Sequence, residues 1–411
     1  MTLTDAADRT AGGTGDDEAR VLDLCRQLLD ELPPQETDRV AFLGRQFDMG
    51  LAWVNFPEGN GGLGLSPKLQ RTINETLWGA GAPAAGARNP IGHGMGAPTV
   101  MTHGSDAQRQ RYLRPLFTGE EIWCQLFSEP GAGSDVAGLS SKAVRDGDEW
   151  IINGQKVWTT LAHVSRWGML VVRTDPNQPK HKGLTYFVVD MHAPGVEVRP
   201  LYQITGEAEF NEVYFTDVRI PDAERLGDVG EGWRVSLTTL MNERVSIGGQ
   251  IPRRGSGFIG ELTKIWVERR PVGSGAERAR DLDEFMQLWI RAEALRLTNI
   301  RAGQARSKGT PGPEGSIGKL AMAELHKDLT SFGMNLLGAD GLLHPDGYER
   351  HRPQTTALWR NPQQAFLRSR ANSIEGGTTE IMKNILAERV LGLPGDVRVD
   401  KDRPWIDVPR S

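Results

Sequence analysis

Apolar and polar positions along this chain change rhythm twice. Between about residues 18 and 122 the apolar residues recur at helical spacing, with Val21, Leu22, Leu24, Cys25, Leu28 and Leu29 forming one stripe. Ser105-Asp106-Ala107-Gln108 then carries the Ser and Gln of a capping box, which predicts a helix over Arg109–Phe117. Near Ile122 the pattern shortens. Trp167–Arg173, Leu184–Asp190, Val196–Arg199 and Glu212–Val218 are β-rich runs separated by Gly, Pro and Asn, and they read as strands. After Gly232 the helical period returns. It is clearest from Leu282 to Ile300, where Phe285, Leu288, Ala292 and Leu295 share a face, and it recurs from about Ile317 to Leu337. Helices, strands and helices in succession predict an α+β chain with segregated regions instead of a βαβ alternation. The same shifts divide the chain into a polar, flexible arm (residues 1–17), an N-terminal α domain (18–122), a middle β domain (123–232), a C-terminal α domain (233–396) and a C-terminal tail (397–411).

Composition narrows the partners more than the fold. At 411 residues the chain exceeds what one hydrophobic core serves, so the divisions are expected to be folding units. A net charge of −5 argues against nucleic acid or an anionic membrane as the main partner. Cys25 and Cys124 offer neither a disulfide framework nor a thiolate metal site, as suits a reducing cytosol. Met1-Thr2-Leu3-Thr4-Asp5 has no basic or apolar leader character, and no later run reaches the roughly 18 apolar residues of a membrane span. A cytoplasmic protein is expected. His93 and His103 lack clustered ligand partners, so no metal is expected. Arg253-Arg254 and Arg269-Arg270 lack interleaved aromatics and read as phosphate or surface contacts.

Chemistry concentrates between Trp123 and Thr160. Phe127–Asp135 is a tight, Gly-punctuated loop whose backbone N–H groups can approach a ligand closely. Downstream, Glu149–Ile152 and Gln155–Trp158 flank Asn153-Gly154, which predicts a hairpin with a type I′ turn. That hairpin would deliver Trp158-Thr159-Thr160, a flat aromatic beside two hydroxyls, as a stacking wall and edge donors for a planar cofactor. No strand–GxGxxG–helix unit occurs in the first half, so a Rossmann dinucleotide site is unsupported.

These residues carry a family resemblance. SEPGAGSD at 128–135 followed by DGDEWIINGQKVWTT at 146–160 resembles the acyl-CoA dehydrogenase family. Pro57–Gly64 (PEGNGGLG) is similar to that family's N-terminal loop, and Glu375–Ile381 (EGGTTEI) to its C-terminal segment. The resemblance implies a helical N-terminal domain, a middle β domain and a C-terminal domain of four-helix type. It implies FAD between the β domain and the C-terminal helices, and α,β-dehydrogenation of an acyl-CoA thioester: a carboxylate takes the α proton while the β hydrogen leaves as hydride to the flavin. It further implies an electron-transferring flavoprotein as acceptor and a homodimer or homotetramer.

Position by position, the resemblance assigns Trp158 to the isoalloxazine and Thr159 and Thr160 to donors beside it. Leu126, Phe127, Ser128, Gly133 and Ser134 fall on the flavin and pyrophosphate loop, with Ser134 also near the thioester. Arg269, Asn335 and Gly338 belong to the adenosine-diphosphate half, Thr378 and Glu380 to the C-terminal segment, and Arg244 to the CoA nucleotide. Gly376 would supply the backbone N–H for the thioester carbonyl. The base occupies one of two places in this family. Anchoring on Gly377–Ile381 puts Gly376 at one of them, while Met241–Gly249 resembles L-E-R-x-x-x-A-G-G and puts Glu243 at the other. Glu243 is the expected base, as in the isovaleryl- and long-chain-like branch. A one-residue slip would promote Glu375, and the bare Glu-Arg dipeptide could be a surface ion pair.

Some positions depart from the family. Pro271 and Val272 interrupt its E-R-(R/K)-x-F-G stretch, and Asn335–Gly341 replaces Q-x-x-G-G-x-G with Ala339 at a Gly. The chain also looks longer between Gly341 and Arg368, around Pro353, Gln354 and Trp359. Such changes accompany shared cofactor sites, so a heterotetramer is an alternative assembly. Flavin-dependent oxidases or monooxygenases of the same fold, and a non-catalytic subunit, are the alternative functions. The acyl chain stays open, since one methylene is worth only about 1–3 kcal/mol of discrimination.

Overall fold

A computed structural model describes residues 14–248, 251–269, 275–307 and 313–409. The N-terminal helices are α1 (Thr14–Glu31), α2 (Arg39–Asp48), α3 (Leu69–Gly79), α4 (Ala97–His103) and α5 (Asp106–Thr118). Val21, Cys25 and Leu28 of the expected stripe are fully buried. Helix α1 begins three residues before the expected end of the polar arm, with Asp16 and Asp17 in its first turn, where acidic side chains complement the helix dipole. Residues 1–13 lie outside the described chain. Helix α5 starts on the predicted capping box, with Ser105 and Gln108 exchanging side-chain and backbone bonds.

Eight strands follow among the described residues: β1 (Trp123–Leu126), β2 (Lys142–Asp146), β3 (Glu149–Lys156), β4 (Trp167–Arg173), β5 (Leu184–Asp190), β6 (Val196–Pro200), β7 (Asn211–Pro221) and β8 (Arg225–Leu226). They form one sheet in the order β6-β7-β3-β2-β4-β5-β8, with β1 paired to β4. Every residue of β4 is buried. Met169 and Val171 pack with the N-terminal helices, whereas Leu170 and Val172 pack in the core on the opposite face. The period-two side-chain alternation of a strand explains the split.

The predicted hairpin at Asn153-Gly154 does not form. Strand β3 runs straight through that dipeptide, and β7 pairs with it on both sides across a register shift between Ile152 and Gly154. Long pairing to β7 outweighs the local turn preference, and a bulge absorbs the pair instead. Asn153 Nδ2 donates to Asp217 Oδ1 (2.9 Å), and Asp217 N–H donates back to Asn153 Oδ1 (3.1 Å). A Cβ on Gly154 would lie 2.1 Å from Ser141 Oγ, so only glycine fits there. The true hairpin joins β2 to β3 through Gly147-Asp148, with Gly147 at φ 67°, the left-handed start of a type II′ turn.

The C-terminal helices are α6 (Gly232–Gly248), α7 (Phe258–Arg269), α8 (Gly275–Ser307), α9 (Glu314–Leu337), α10 (Pro362–Ser369) and α11 (Thr379–Arg389). Phe285 and Leu288 of α8 pack with Leu325, Leu329 and Phe332 of α9 and Ile259 and Leu262 of α7 in a third core. The long stretch after Gly341 lies against the β domain. Glu207 and His351 form a β-bridge, Arg360 pairs with buried Glu207 (3.0 Å), and Arg352 donates to Asn211 Oδ1 (2.5 Å). Among the described residues no helix is long and apolar enough to cross a membrane.

Candidate active site

The Gly-rich loop is held from beneath by a buried ion pair. Lys156, the last residue of β3, is fully buried and donates to Glu129 Oε1 (2.8 Å) and to the Phe127 carbonyl (3.1 Å). Glu129 also accepts from the Ser140 and Ser141 amides at 2.6 and 2.9 Å. Burial alone would raise the Glu129 pKa, but the Lys156 ammonium and these donors hold it below the usual carboxylate value. One pair therefore joins the SEPGAGSD loop to the strand that leads into Val157-Trp158. Glu129-Ala132 closes on itself through reciprocal backbone bonds of 3.0 Å. Beyond it, Gly133 and Ser134 are exposed, and a Cβ added at Gly131 or Gly133 would meet no atom within 4 Å.

Trp158 stands next to that loop. Its φ is 61°, a left-handed conformation costly for a bulky side chain, and 57% of its surface is exposed. Such strain persists only where surroundings impose it. Val157 N–H donates to the Ser128 carbonyl (2.9 Å), Thr159 N–H to the Asn211 carbonyl (3.0 Å) and Leu161 N–H to the Glu209 carbonyl (2.8 Å). Asn211 Nδ2 returns a bond to the Thr159 carbonyl (3.0 Å). The indole meets Phe210 edge-on at 5.9 Å. Thr159 is fully buried and its hydroxyl has no partner among the described residues, so its side chain lies off the open face; Thr160 is half-buried.

Two carboxylates had competed for the base, and they sit in different surroundings. Val235, Thr239 and Glu243 are four residues apart on α6, which puts them on one face. Val235 and Thr239 are fully buried there, and Thr239 Oγ1 meets Thr99 Oγ1 (2.9 Å) and the Tyr186 hydroxyl (3.1 Å). Glu243 is half-buried and accepts from Gln125 Nε2 of β1 at 3.4 Å. Glu375 instead takes a bidentate bridge from Arg368 (3.1 and 2.9 Å), whose Nε also reaches buried Glu209 (3.2 Å). Arg368 thus ties the turn carrying Glu375-Gly376 to the strand-side segment that carries Phe210.

Lys319 fixes the other side of that turn. It is 1% exposed on α9 and donates to the Asn372 carbonyl (2.9 Å) and the Gly377 carbonyl (2.5 Å). Burial lowers its pKa, opposed by the nearby carboxylates of Glu375, Glu243, Glu324 and Glu380. Between the two carbonyls lies Gly376 at φ 63°, and among the described residues none accepts a hydrogen bond from its amide. Thr378 caps α11 by accepting from the Ile381 amide (3.1 Å), and Glu380 is exposed in the first turn of that helix.

The remaining expected positions form a separate group. Arg269 pairs with Asp340 (2.7 Å), close to exposed Asn335 and Gly338 at the end of α9, so two altered motifs meet at the surface. No described contact joins them to Trp158 or Gly376. The Arg244 side chain, Pro271 and Val272 lie outside the described residues. His93 packs against Trp53 and Phe117, and burial lowers its pKa to about 4. Glu129, Lys156, Lys319, Arg368 and Gln125 escaped the sequence reading. Glu129 and Lys156 could have been found, since each lies inside one of the two matched motifs.

FAD fits this arrangement. An exposed indole on strained backbone offers a flat wall, the open side of the glycine loop leaves room for a phosphate-bearing chain, and the Gly376 amide is uncommitted.

Comparisons with known proteins agree with this geometry. Family models described as the N-terminal, middle and C-terminal domains of acyl-CoA dehydrogenase match residues 23–120, 124–218 and 230–391. The acyl-CoA dehydrogenase IpdE1 of Mycobacterium tuberculosis is 37% identical over 88% of this chain and 89% of its own length. FadE34 of the same organism is 38% identical over 88% of this chain, which spans only 47% of that relative. Among solved structures, the ChsE4-ChsE5 complex from Mycobacterium tuberculosis matches with a TM-score of 0.69 and 26% identity, over 94% of this chain and 100% of that one. The Tcur3481-Tcur3483 steroid ACAD matches with a TM-score of 0.69 and 25% identity, over 94% and 99% of the two chains.

Proposed function

The chain belongs to the acyl-CoA dehydrogenase family of FAD-dependent oxidoreductases, and from that premise we propose that Glu243 is its catalytic base and Gly376 its thioester-binding amide. The observation that carries this assignment is where the two carboxylates sit, above all the commitment of Glu375 to Arg368. Glu375 is held in the bidentate Arg368 bridge, while Glu243 lies half-buried on the core-facing side of α6 against the Gln125 amide.

The α proton of a thioester is weakly acidic, so its removal requires a base and a donor acting together. Glu243 takes the proton. The Gly376 N–H donates to the thioester carbonyl, where negative charge develops, and Lys319 keeps that peptide in place through its two carbonyl bonds. Bound FAD supplies the acceptor for the β hydrogen, which leaves as hydride. Trp158 and Thr160 would line the flavin, the loop from Phe127 to Ser134 would hold its phosphate side, and Ser134 would border the thioester. Arg269, Asn335 and Gly338, remote from this cluster, would serve an adenosine-diphosphate end across a subunit boundary. An electron-transferring flavoprotein reoxidises the enzyme. The similarity to a steroid ACAD and to a two-protein complex makes steroid-derived acyl-CoAs the first substrates to try and a heteromer the first alternative to a homo-oligomer.

The test is anaerobic bleaching of flavin absorbance by a panel of acyl-CoAs. Glu243→Gln should retain FAD and lose bleaching by roughly 10²–10⁴-fold, with Glu375→Gln much less affected. Loss in Glu375→Gln alone would reverse the assignment. Retained flavin with no bleaching by any thioester would turn the reading toward an oxidase.

A further inference from the structure

The glycine loop is anchored at its first end by Glu129 and Lys156. Its second end, after two exposed glycines, is anchored by residues that follow α11. Lys180, 12% exposed in the β4–β5 connection, donates to Asp135 Oδ2 (2.8 Å) and to Asp400 Oδ2 (2.6 Å). The 3₁₀ turn Val136–Gly138 follows directly. Arg173 at the end of β4 donates to the Ala137 (2.7 Å), Leu139 (3.2 Å) and Lys180 (3.3 Å) carbonyls, and its guanidinium stacks on Trp405 at 4.2 Å. Trp405, 9% exposed, donates from its indole to the Gly138 carbonyl (3.1 Å). Backbone bonds from Trp405 to Gln178 (2.9 Å) and from Ile406 to Pro176 (3.0 Å) fix this segment on the same connection.

We infer that residues 400–407 are a strap that positions the Ser134-Asp135 end of the ligand loop, with Lys180, Asp400 and Trp405 as its positioning residues. The strap lies beyond residue 391, where the match to the family ends. Gly131 and Gly133 give the loop much backbone freedom, so a loop fixed at one end alone would lose entropy on every binding event. Fixing both ends places Ser134 before the ligand arrives, which lowers the cost of binding without touching the chemical step. The inference rests on reading Phe127–Ser134 as the ligand loop.

The test uses Asp400→Asn and Trp405→Ala in the full chain, loaded with FAD. Hydrogen exchange at the amides of 133–138 should accelerate in both. KM for the acyl-CoA that bleaches fastest should rise roughly three- to tenfold, with kcat within about twofold, as expected for lost ground-state positioning. Unchanged exchange in both variants overturns the strap. Faster exchange with unchanged KM and flavin retention overturns the ligand-loop reading instead. Should Trp405→Ala fail to fold, Asp400→Asn, which removes one ion pair, and Lys180→Met, which removes both, decide the matter alone.

Discussion

Lys156 and Glu129 set the terms at the residue scale. An ammonium with no exposed surface stays charged only because a carboxylate meets it at 2.8 Å. Glu129→Gln should therefore destabilise the protein by about 3 kcal/mol, since it strands a buried charge; thermal and urea unfolding measure it. The pair also predicts acid sensitivity. Glu129 has a depressed pKa when folded, so its stabilisation is full above the ordinary carboxylate value and is lost as pH falls through the folded one. Flavin release and unfolding should coincide in a titration below about pH 4, and Glu129→Gln should remove this group's share of the acid limb, making it shallower. Trp158 and Glu243 were legible from the chain as candidates, because neighbouring motif letters fix their register. The strain at Trp158 was not, because φ 61° is imposed by Glu209, Asn211 and Ser128, two of them on a segment some fifty residues away in sequence.

Among elements, α9 joins a hydrophobic core to the candidate site. It contributes Leu325, Leu329 and Phe332 to the third core and sends Lys319 the other way, into the turn before α11. Lys319→Met should leave two buried carbonyls without a donor, costing about 2 kcal/mol or more. Bleaching should slow more than acyl-CoA binding weakens, because the Gly376 amide is displaced while the loop and Trp158 are untouched; rapid-mixing absorbance separates the two. Helical periodicity forecast α8 and α9 well, and the strand runs matched β4 and β5 residue for residue. It failed at Asn153-Gly154. Turn preference is a local quantity, and there the partner strand β7 offered more pairing by continuing than the dipeptide offered by turning.

For the whole molecule, α8 leaves an unspent apolar face. Phe285 and Leu288 are buried, whereas Leu282, Met286, Ile290 and Leu297 are 47%, 42%, 55% and 52% exposed along the other side. That stripe suits a subunit interface at the C-terminal helices. Met286→Glu with Ile290→Glu should shift the protein toward smaller species in light scattering. The core of the third cluster should survive, because neither residue belongs to it.

What the amino-acid sequence determined by itself was local and periodic: the order of helices and strands, the capping box at Ser105, and the letters of the loop, the Trp segment and the C-terminal turn. These depend on neighbours within a few positions, so a linear string carries them. Tertiary structure alone decided where the two candidate carboxylates sit. Arg368 takes up Glu375 and α6 turns Glu243 toward the core. It alone also brought Trp405 and Asp400 back onto a loop more than two hundred residues earlier. Contacts of that separation follow from packing and ion pairing in three dimensions, which no spacing along the chain encodes.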